Sequence, residues 1–316
     1  MAPSKTTPDS IALPSTDRID RPPLGKERTA MSELPIYRPV VVGIDGSKAA
    51  IHAALWAVDE AVRRDVPLRL LHTVGQENGH EVEPDAMASK LTAAQTAIQR
   101  AVTAIEAKNQ LVKIETEIAQ GPPVGSLIRA SAAASLVCVG ALGLRHFEPG
   151  RTGSTAGALA VSARCPVAIV RGHHEQRPAQ RADDVVVEVN GSPDNGVLLG
   201  TAIEEASLRN VGVRAVVCAP AAPGGDDTTT DGDHRARADL DRRLARWRRR
   251  YPDVRVESVV AHGSLLDYVA HKRRATTLMV VGAHSRPHLD ELLGPRGSAI
   301  LRDAQCSLLI VNQQNL

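Results

Sequence analysis

Apolar positions along the chain follow two alternating rhythms. Short continuous runs, 39-PVVVGID-45, 68-LRLLHTV-74, 111-LVKIETEIA-119, 136-LVCVGA-141 and 166-PVAIVR-171, read as strands. Their continuity marks strands covered on both faces, as in a parallel sheet. Between them lie longer stretches in which apolar residues return every three or four positions. The first, residues 48–65, sets Ile51, Ala54, Leu55, Val58 and Val62 on one stripe behind Ser47, a residue suited to cap a helix. Further helical stretches cover about 85–108, 124–134 and 155–164. Strands alternating with helices predict an open parallel α/β sheet with helices on both faces, a Rossmann-like arrangement.

The pattern then runs a second time. The segment 185-VVVEVNGS-192 echoes 40-VVVGIDGS-47, and 213-VRAVVCA-219 echoes 68-LRLLHTV-74. Likewise 278-LMVVGA-283 echoes 136-LVCVGA-141, and 307-SLLIV-311 echoes 166-PVAIV-170. Asp45 and Asn190 stand 145 positions apart, Gly140 and Gly282 stand 142 apart, and the small drift is loop length. The reading is two tandem five-stranded domains, 35–172 and 182–316, joined by a polar linker at 173–181. Each fifth strand is an edge that needs covering. Pairing of Pro166–Arg171 with Ser307–Val311 would cover both within one chain.

Residues 1–34 have no periodicity and carry Pro3, Pro8, Pro14, Pro22 and Pro23. Such a segment buries too little apolar surface to offset its ordering entropy, which predicts a disordered tail. Met31 is an alternative start. The tail lacks the apolar core of a secretory signal, and no apolar run approaches the roughly 18 residues that cross a membrane.

Composition narrows the function. Of the 316 residues, 43% are hydrophobic and 23% charged, with a net charge of +2. That balance argues against a nucleic-acid coat, and 2% aromatics against base-stacking platforms. Cys138, Cys165, Cys218 and Cys306 show no C-x-x-C spacing, which argues against a zinc site or a redox pair. They read as buried reduced thiols of a cytoplasmic protein.

Ligands of an open parallel sheet bind beyond the carboxyl ends of the strands, where the strand order reverses. There the first copy reads 140-GALGLRHFEPGRTGST-155, that is Gly140-x2-Gly143-x9-Gly153-Ser154, leading into a helix. Glycine lets the backbone approach a phosphate closely. The free N–H groups of a helix start attract an anion, and Ser154 or Thr155 adds a hydroxyl. The bland alternative is a glycine-rich loop capped by Ser154. For Asp45 it is a turn in D-G-S, satisfied by its own backbone.

These residues resemble the universal stress protein family. VVVGIDGS (40–47), LLHTV (70–74), VGALG (139–143) and GST (153–155) carry the resemblance, which covers about residues 35–316. The family's G-2x-G-9x-G-(S/T) signature, associated with ATP binding, is matched in full by the first copy, and tandem architecture is familiar among actinobacterial members. The resemblance implies ATP, with Mg²⁺ on its phosphates. It implies Asp45 on the nucleoside, the backbone of Ile44 and Thr73 at the adenine edge, and Val139 and Gly140 at the ribose. Gly143, Gly153, Ser154 and Thr155 would cradle the phosphates. It further implies a regulatory stress-response role with an unknown protein partner, and either a homodimer or an intramolecular pseudo-dimer.

The second copy departs from the signature. Asn190 replaces Asp45, Ser285 stands at Gly143, and the loop reads 286-RPHLDELLGPRGS-298. If Gly294 matches Gly153, the spacing is one short and Pro295 replaces Ser154. If Gly297-Ser298 matches, the loop is two too long. Either way this half is expected not to bind ATP in the family manner. Two rival readings stay open. One is a slow ATPase, with His146 or Asp45 as base. The other is an interaction module without nucleotide, docking through residues 235–255, whose nine arginines surround a stripe of Leu240, Leu244 and Trp247. The bland account of that segment is a solvated amphipathic helix. His284 and His288 lie near the second loop without a third metal ligand.

Overall fold

Valine-rich runs build the centre of the sheet in the computed structural model, which describes residues 37–75, 84–143, 152–171, 184–190, 195–219, 228–271, 276–283 and 286–312. The 1–34 tail, Met31, the 173–181 linker, His146, His284 and Ser285 lie outside the described residues. The first half runs β1 (Val40–Gly43), α1 (Lys48–Arg64), β2 (Leu68–Val74), α2 (Pro84–Glu106), β3 (Ile114–Gln120), α3 (Pro123–Ser131), β4 (Leu136–Gly140), α4 (Ser154–Ser162) and β5 (Val167–Val170). The second runs β6 (Asp184–Glu188), α5 (Asn195–Arg209), β7 (Val213–Ala219), α6 (Thr228–Arg250), β8 (Val256–His262), α7 (Leu265–His271), β9 (Thr276–Gly282), α8 (Arg286–Leu293), α9 (Pro295–Asp303) and β10 (Ser307–Val311).

Each half is a parallel five-stranded sheet. The two are joined into one ten-stranded sheet of order β3-β2-β1-β4-β5-β10-β9-β6-β7-β8. The join is antiparallel, with Ile169 opposite Leu308, Ala168 opposite Leu309 and Val167 opposite Ile310. The fifth strands therefore cover one another within the chain, as the edge argument requires. Strand order reverses between β1 and β4 and again between β6 and β9, which creates one crevice per half.

Two apolar layers flank the sheet, and each runs through both halves. One packs α1, α2, α5 and α6 against residues such as Val40, Val42, Val185 and Val187. The other packs α3, α4, α7, α8 and α9 against Val137, Val139, Ile169, Leu308 and Ile310. Alternation along the strands sends successive residues to opposite layers.

Helix α1 forms where expected. The Ser47 side chain accepts a hydrogen bond from the Ala50 N–H at 3.1 Å, and the helix stops at Asp65, whose φ of 52° is left-handed. Its buried face differs from the expected stripe. Ala53, Ala57 and Ala61 face the core with Trp56 and Glu60, while Ile51 and Leu55 are half-buried and Val62 is 42% exposed. Small side chains let this helix lie close on the sheet. At Gly140 the approach is so close that a Cβ would stand 2.7 Å from the Ala49 backbone.

The stretch 286–298, read from sequence as loop, holds α8 and the start of α9 instead. Leu289 and Leu292 are spaced as one helical face, and both are buried. The arginine-rich segment is helical as well. Leu240 and Leu244 are buried in α6, whose exposed arginines pair along the helix, Arg243 with Asp239 at 2.7 Å and Arg235 with Asp231 at 2.8 Å.

At the seam, α1 and α5 cross on one face of the sheet. Glu60 is fully buried there, Glu205 nearly so, and both bind Arg64 and Arg209 in a reciprocal quartet of ion pairs that includes Arg209 to Glu60 at 2.5 Å. Glu60 and Glu205 occupy equivalent positions in the two copies, as do Arg64 and Arg209.

Candidate functional site

The first crevice opens where β1 and β4 part. Ile44 continues β1, buried, with its N–H on the Leu71 carbonyl at 2.8 Å. The chain then turns through Asp45 and Gly46, whose φ of +87° favours glycine. One Asp45 oxygen accepts from the Ser47 N–H at 2.9 Å, so Asp45 makes the D-G-S turn bond. Its other oxygen lies toward Gly143, where a Cβ would stand 2.8 Å from it. The same carboxylate thus shapes the turn and walls the crevice. Thr73 lies two residues beyond Leu71, the partner of Gly43, and is half-buried at the end of β2.

Beyond β4 the chain passes Gly140, Ala141 and Gly143. The Gly153 N–H returns to the Ala141 carbonyl at 2.9 Å, and a Cβ on Gly153 would stand 3.7 Å from the Gly143 nitrogen. Gly153 caps α4 without a side-chain bond. The first N–H groups of that helix consequently point into the crevice mouth unsatisfied by a cap. Ser154 is exposed and Thr155 half-buried beside them. The nine residues singled out by sequence therefore gather at one switch point. Two are explained by packing. Val139 is buried with its side chain in the core, and Gly140 is required by the approach of α1; only their backbones face the crevice.

Three residues at this end of the sheet were missed. His72, next to Thr73, has a buried Nδ1 that makes no hydrogen bond. Burial holds its pKa below the ordinary value, against the pull of the Ile44 backbone and the Asp45 charge. The signal was a histidine inside an otherwise apolar strand. Thr152 and Arg171 are the others. The Thr152 N–H donates to the Leu293 carbonyl of the second half at 3.1 Å, and its hydroxyl receives a guanidinium N–H of Arg171 at 2.5 Å. Arg171 could have been found as the one charge ending the apolar run 166–171.

The second crevice is built differently. Helices α4 and α9 each have nine residues and a glycine cap, so Gly294 is the counterpart of Gly153 and Pro295 stands where Ser154 does. Proline offers no N–H. The Gly294 N–H is already bonded to the Asp290 carbonyl at 2.8 Å. Helix α8 leads straight into α9. Its His288 lies 3.4 Å from Glu188 at the end of β6, the position of Gly43 in the first copy. Asn190 is exposed, and its backbone is bonded by the Asn195 side chain.

The cysteines are all free. Burial raises Cys165, Cys218 and Cys306 to about 12 and Cys138 further, so they are protonated and poor nucleophiles at neutral pH.

Fold and site together define a tandem α/β protein with one continuous sheet, an open glycine-lined crevice in one half and a helix-covered one in the other. The model of the universal stress protein family matches residues 36–171 and 182–312, and the chain belongs to that family. Universal stress protein Rv2028c of Mycobacterium tuberculosis is 54% identical over 278 residues, covering 88% of this chain and 97% of the relative. Universal stress protein Rv3134c of the same organism is 42% identical, covering 90% and 100%. Among solved structures, a universal stress protein from Archaeoglobus fulgidus superposes with a TM-score of 0.64 at 16% identity, covering 88% of this chain and 98% of that one, which supports the fold alone.

Proposed function

We propose that the first domain, 35–172, binds ATP and that the second, 182–316, joined through 173–181, is a structural and partner-binding half. One arrangement supports this most. The Gly143 nitrogen, the uncapped start of α4 and the Asp45 carboxylate face one another across a gap that only glycines leave open. That donor set fits a phosphate chain. Backbone N–H groups of Gly143, Ser154 and Thr155 and two hydroxyls would hold the oxygens. Asp45 would accept from a sugar hydroxyl, and the backbones of Ile44 and Thr73 would meet the base edge. Among the described residues no group of three His, Cys, Asp or Glu that could hold a metal occurs, so Mg²⁺ would ride on the phosphate oxygens.

The role is regulatory, in a reducing cytoplasm, with hydrolysis weak at most. His72 is a neutral, half-buried imidazole rather than a base placed beside a phosphate. The reading of an interaction module without nucleotide rests on the second half, where α8 and Pro295 leave no phosphate cradle.

The test is calorimetric titration of ATP–Mg²⁺ into nucleotide-stripped protein, reading sites per chain. One site is expected. In Gly143→Asp the new carboxylate meets both Asp45 and the phosphates, and affinity should fall by about 100-fold or more, about 2.7 kcal/mol. Two sites would overturn the division of roles, and no saturable heat would retire ATP in favour of the interaction module.

A further inference from the structure

The seam between the halves holds two kinds of buried arginine. On the α1/α5 face, Arg64 and Arg209 are neutralised by Glu60 and Glu205. On the opposite face stands Arg171, 5% exposed, with no carboxylate within ion-pair distance among the described residues. Its backbone N–H donates to the Ser307 hydroxyl at 3.1 Å, which fixes the residue at the end of β5. One guanidinium nitrogen reaches the hydroxyls of Thr152 at 2.5 Å and Ser298 at 3.4 Å. Those hydroxyls lie 2.8 Å apart, and Ser298 is anchored on the Leu293 carbonyl at 3.1 Å. The other terminal nitrogen is buried and has no hydrogen-bond partner.

A buried charge held only by neutral groups is costly, and packed structures normally pair it. Burial lowers the guanidinium to about 10, so at neutral pH it is still a cation. Thr152 directly precedes Gly153, the uncapped start of α4, which is the positive end of that helix dipole. Two positive elements therefore adjoin with no anion between them among the described residues. A guanidinium fork with one free arm is suited to a phosphate group.

We propose that Arg171 and the start of α4 form a subsite for the end of a polyphosphate chain, making the first crevice select nucleoside triphosphates over monophosphates. This rests on the nucleotide reading above and adds a residue and a selectivity that the glycine signature does not contain. Arg171 also bridges to Ser298, so the subsite spans both halves of the chain.

The test measures affinities of ATP–Mg²⁺, AMP and inorganic tripolyphosphate for the full chain, Arg171→Met and Arg171→Lys, with thermal melting of each without ligand. Loss of a charged hydrogen bond weakens binding by about 10- to 100-fold. That loss is expected for ATP and tripolyphosphate in Arg171→Met, with AMP changed by less than about threefold and partial recovery in Arg171→Lys. Removing an unpaired buried charge should leave the ligand-free melting temperature of Arg171→Met unchanged or raised. If ATP and AMP weaken alike, or neither weakens, the proposal fails while the nucleotide reading stands. Tripolyphosphate binding that depends on Arg171 in a chain that binds no nucleotide would keep the subsite and end the nucleotide reading. A wild-type chain that binds neither ends both. Should Arg171→Met not fold, undiminished ATP affinity in Arg171→Lys would make Arg171 structural and overturn the proposal.

Discussion

The two crevices sit on the same topology and differ in what lies over them. In the first, Gly143 and Gly153 leave room beside Asp45, and α4 begins without a cap. In the second, α8 covers the strand ends, His288 meets Glu188, and Pro295 removes a donor from the start of α9. Leu289 and Leu292 carry α8 into the same apolar layer that holds α4, so the cover is part of the core. A crevice made by strand order is thus inherited by both copies, while its accessibility is set by one connection. The seam shows the contrast from the other side. The Glu60–Arg64–Glu205–Arg209 quartet repeats across the two copies with equivalent residues, although the crevices do not.

The strongest way to sharpen this contrast is to break the symmetric part. Glu60→Ala leaves Arg64 and Arg209 short of a partner in a buried site, which should cost about 3–5 kcal/mol. Glu205→Ala should cost a similar amount, since each glutamate contacts both arginines. Urea unfolding of the two variants checks the match, and a large inequality would show that the halves do not share the seam evenly. The asymmetric part is tested by an attempted repair. Asn190→Asp combined with Pro295→Ser restores two signature residues but leaves α8 and Glu188 in place. Calorimetry should still give one ATP site per chain, and a second site would show that residue identity outweighs the covering helix.

The smallest effect distinguishes His72 from Val217, its counterpart in the second copy. Burial lowers the folded pKa of His72 below the ordinary 6.5. The unfolded chain then binds the proton first as pH falls. The stability tied to neutral His72 is whole above about pH 6.5 and is lost between there and the lower folded value. His72→Gln should flatten that part of the stability profile, read as melting temperature against pH. Val217→Ala should change stability without changing the slope.

Much of the fold was legible because strand and helix periodicity are local. β2, β7 and β10 fall where their apolar runs predict, and the repeat itself foretold the pairing of the fifth strands. The candidate site was legible as a list of positions, since the glycine spacing and the D-G-S turn are written in the chain. The buried face of α1 was not. Ile51 and Val62 looked like core by hydrophobicity, but closeness to β4 at Gly140 favours Ala53, Ala57 and Ala61. Helix α8 was masked by its prolines, histidine and acids, and only burial of Leu289 and Leu292 shows why it forms.

The sequence alone determined the two copies, their strand order and which copy keeps the glycine signature, because these follow from periodicity and spacing along one chain. Tertiary structure decided that the copies form a single sheet, that Glu60 and Glu205 exchange arginines, and that Arg171 is buried beside Thr152 and Ser298 without a carboxylate. Those contacts join residues as many as 145 or so positions apart. Whether a charge is paired or stranded depends on what folding brings to it, and no local pattern carries that information.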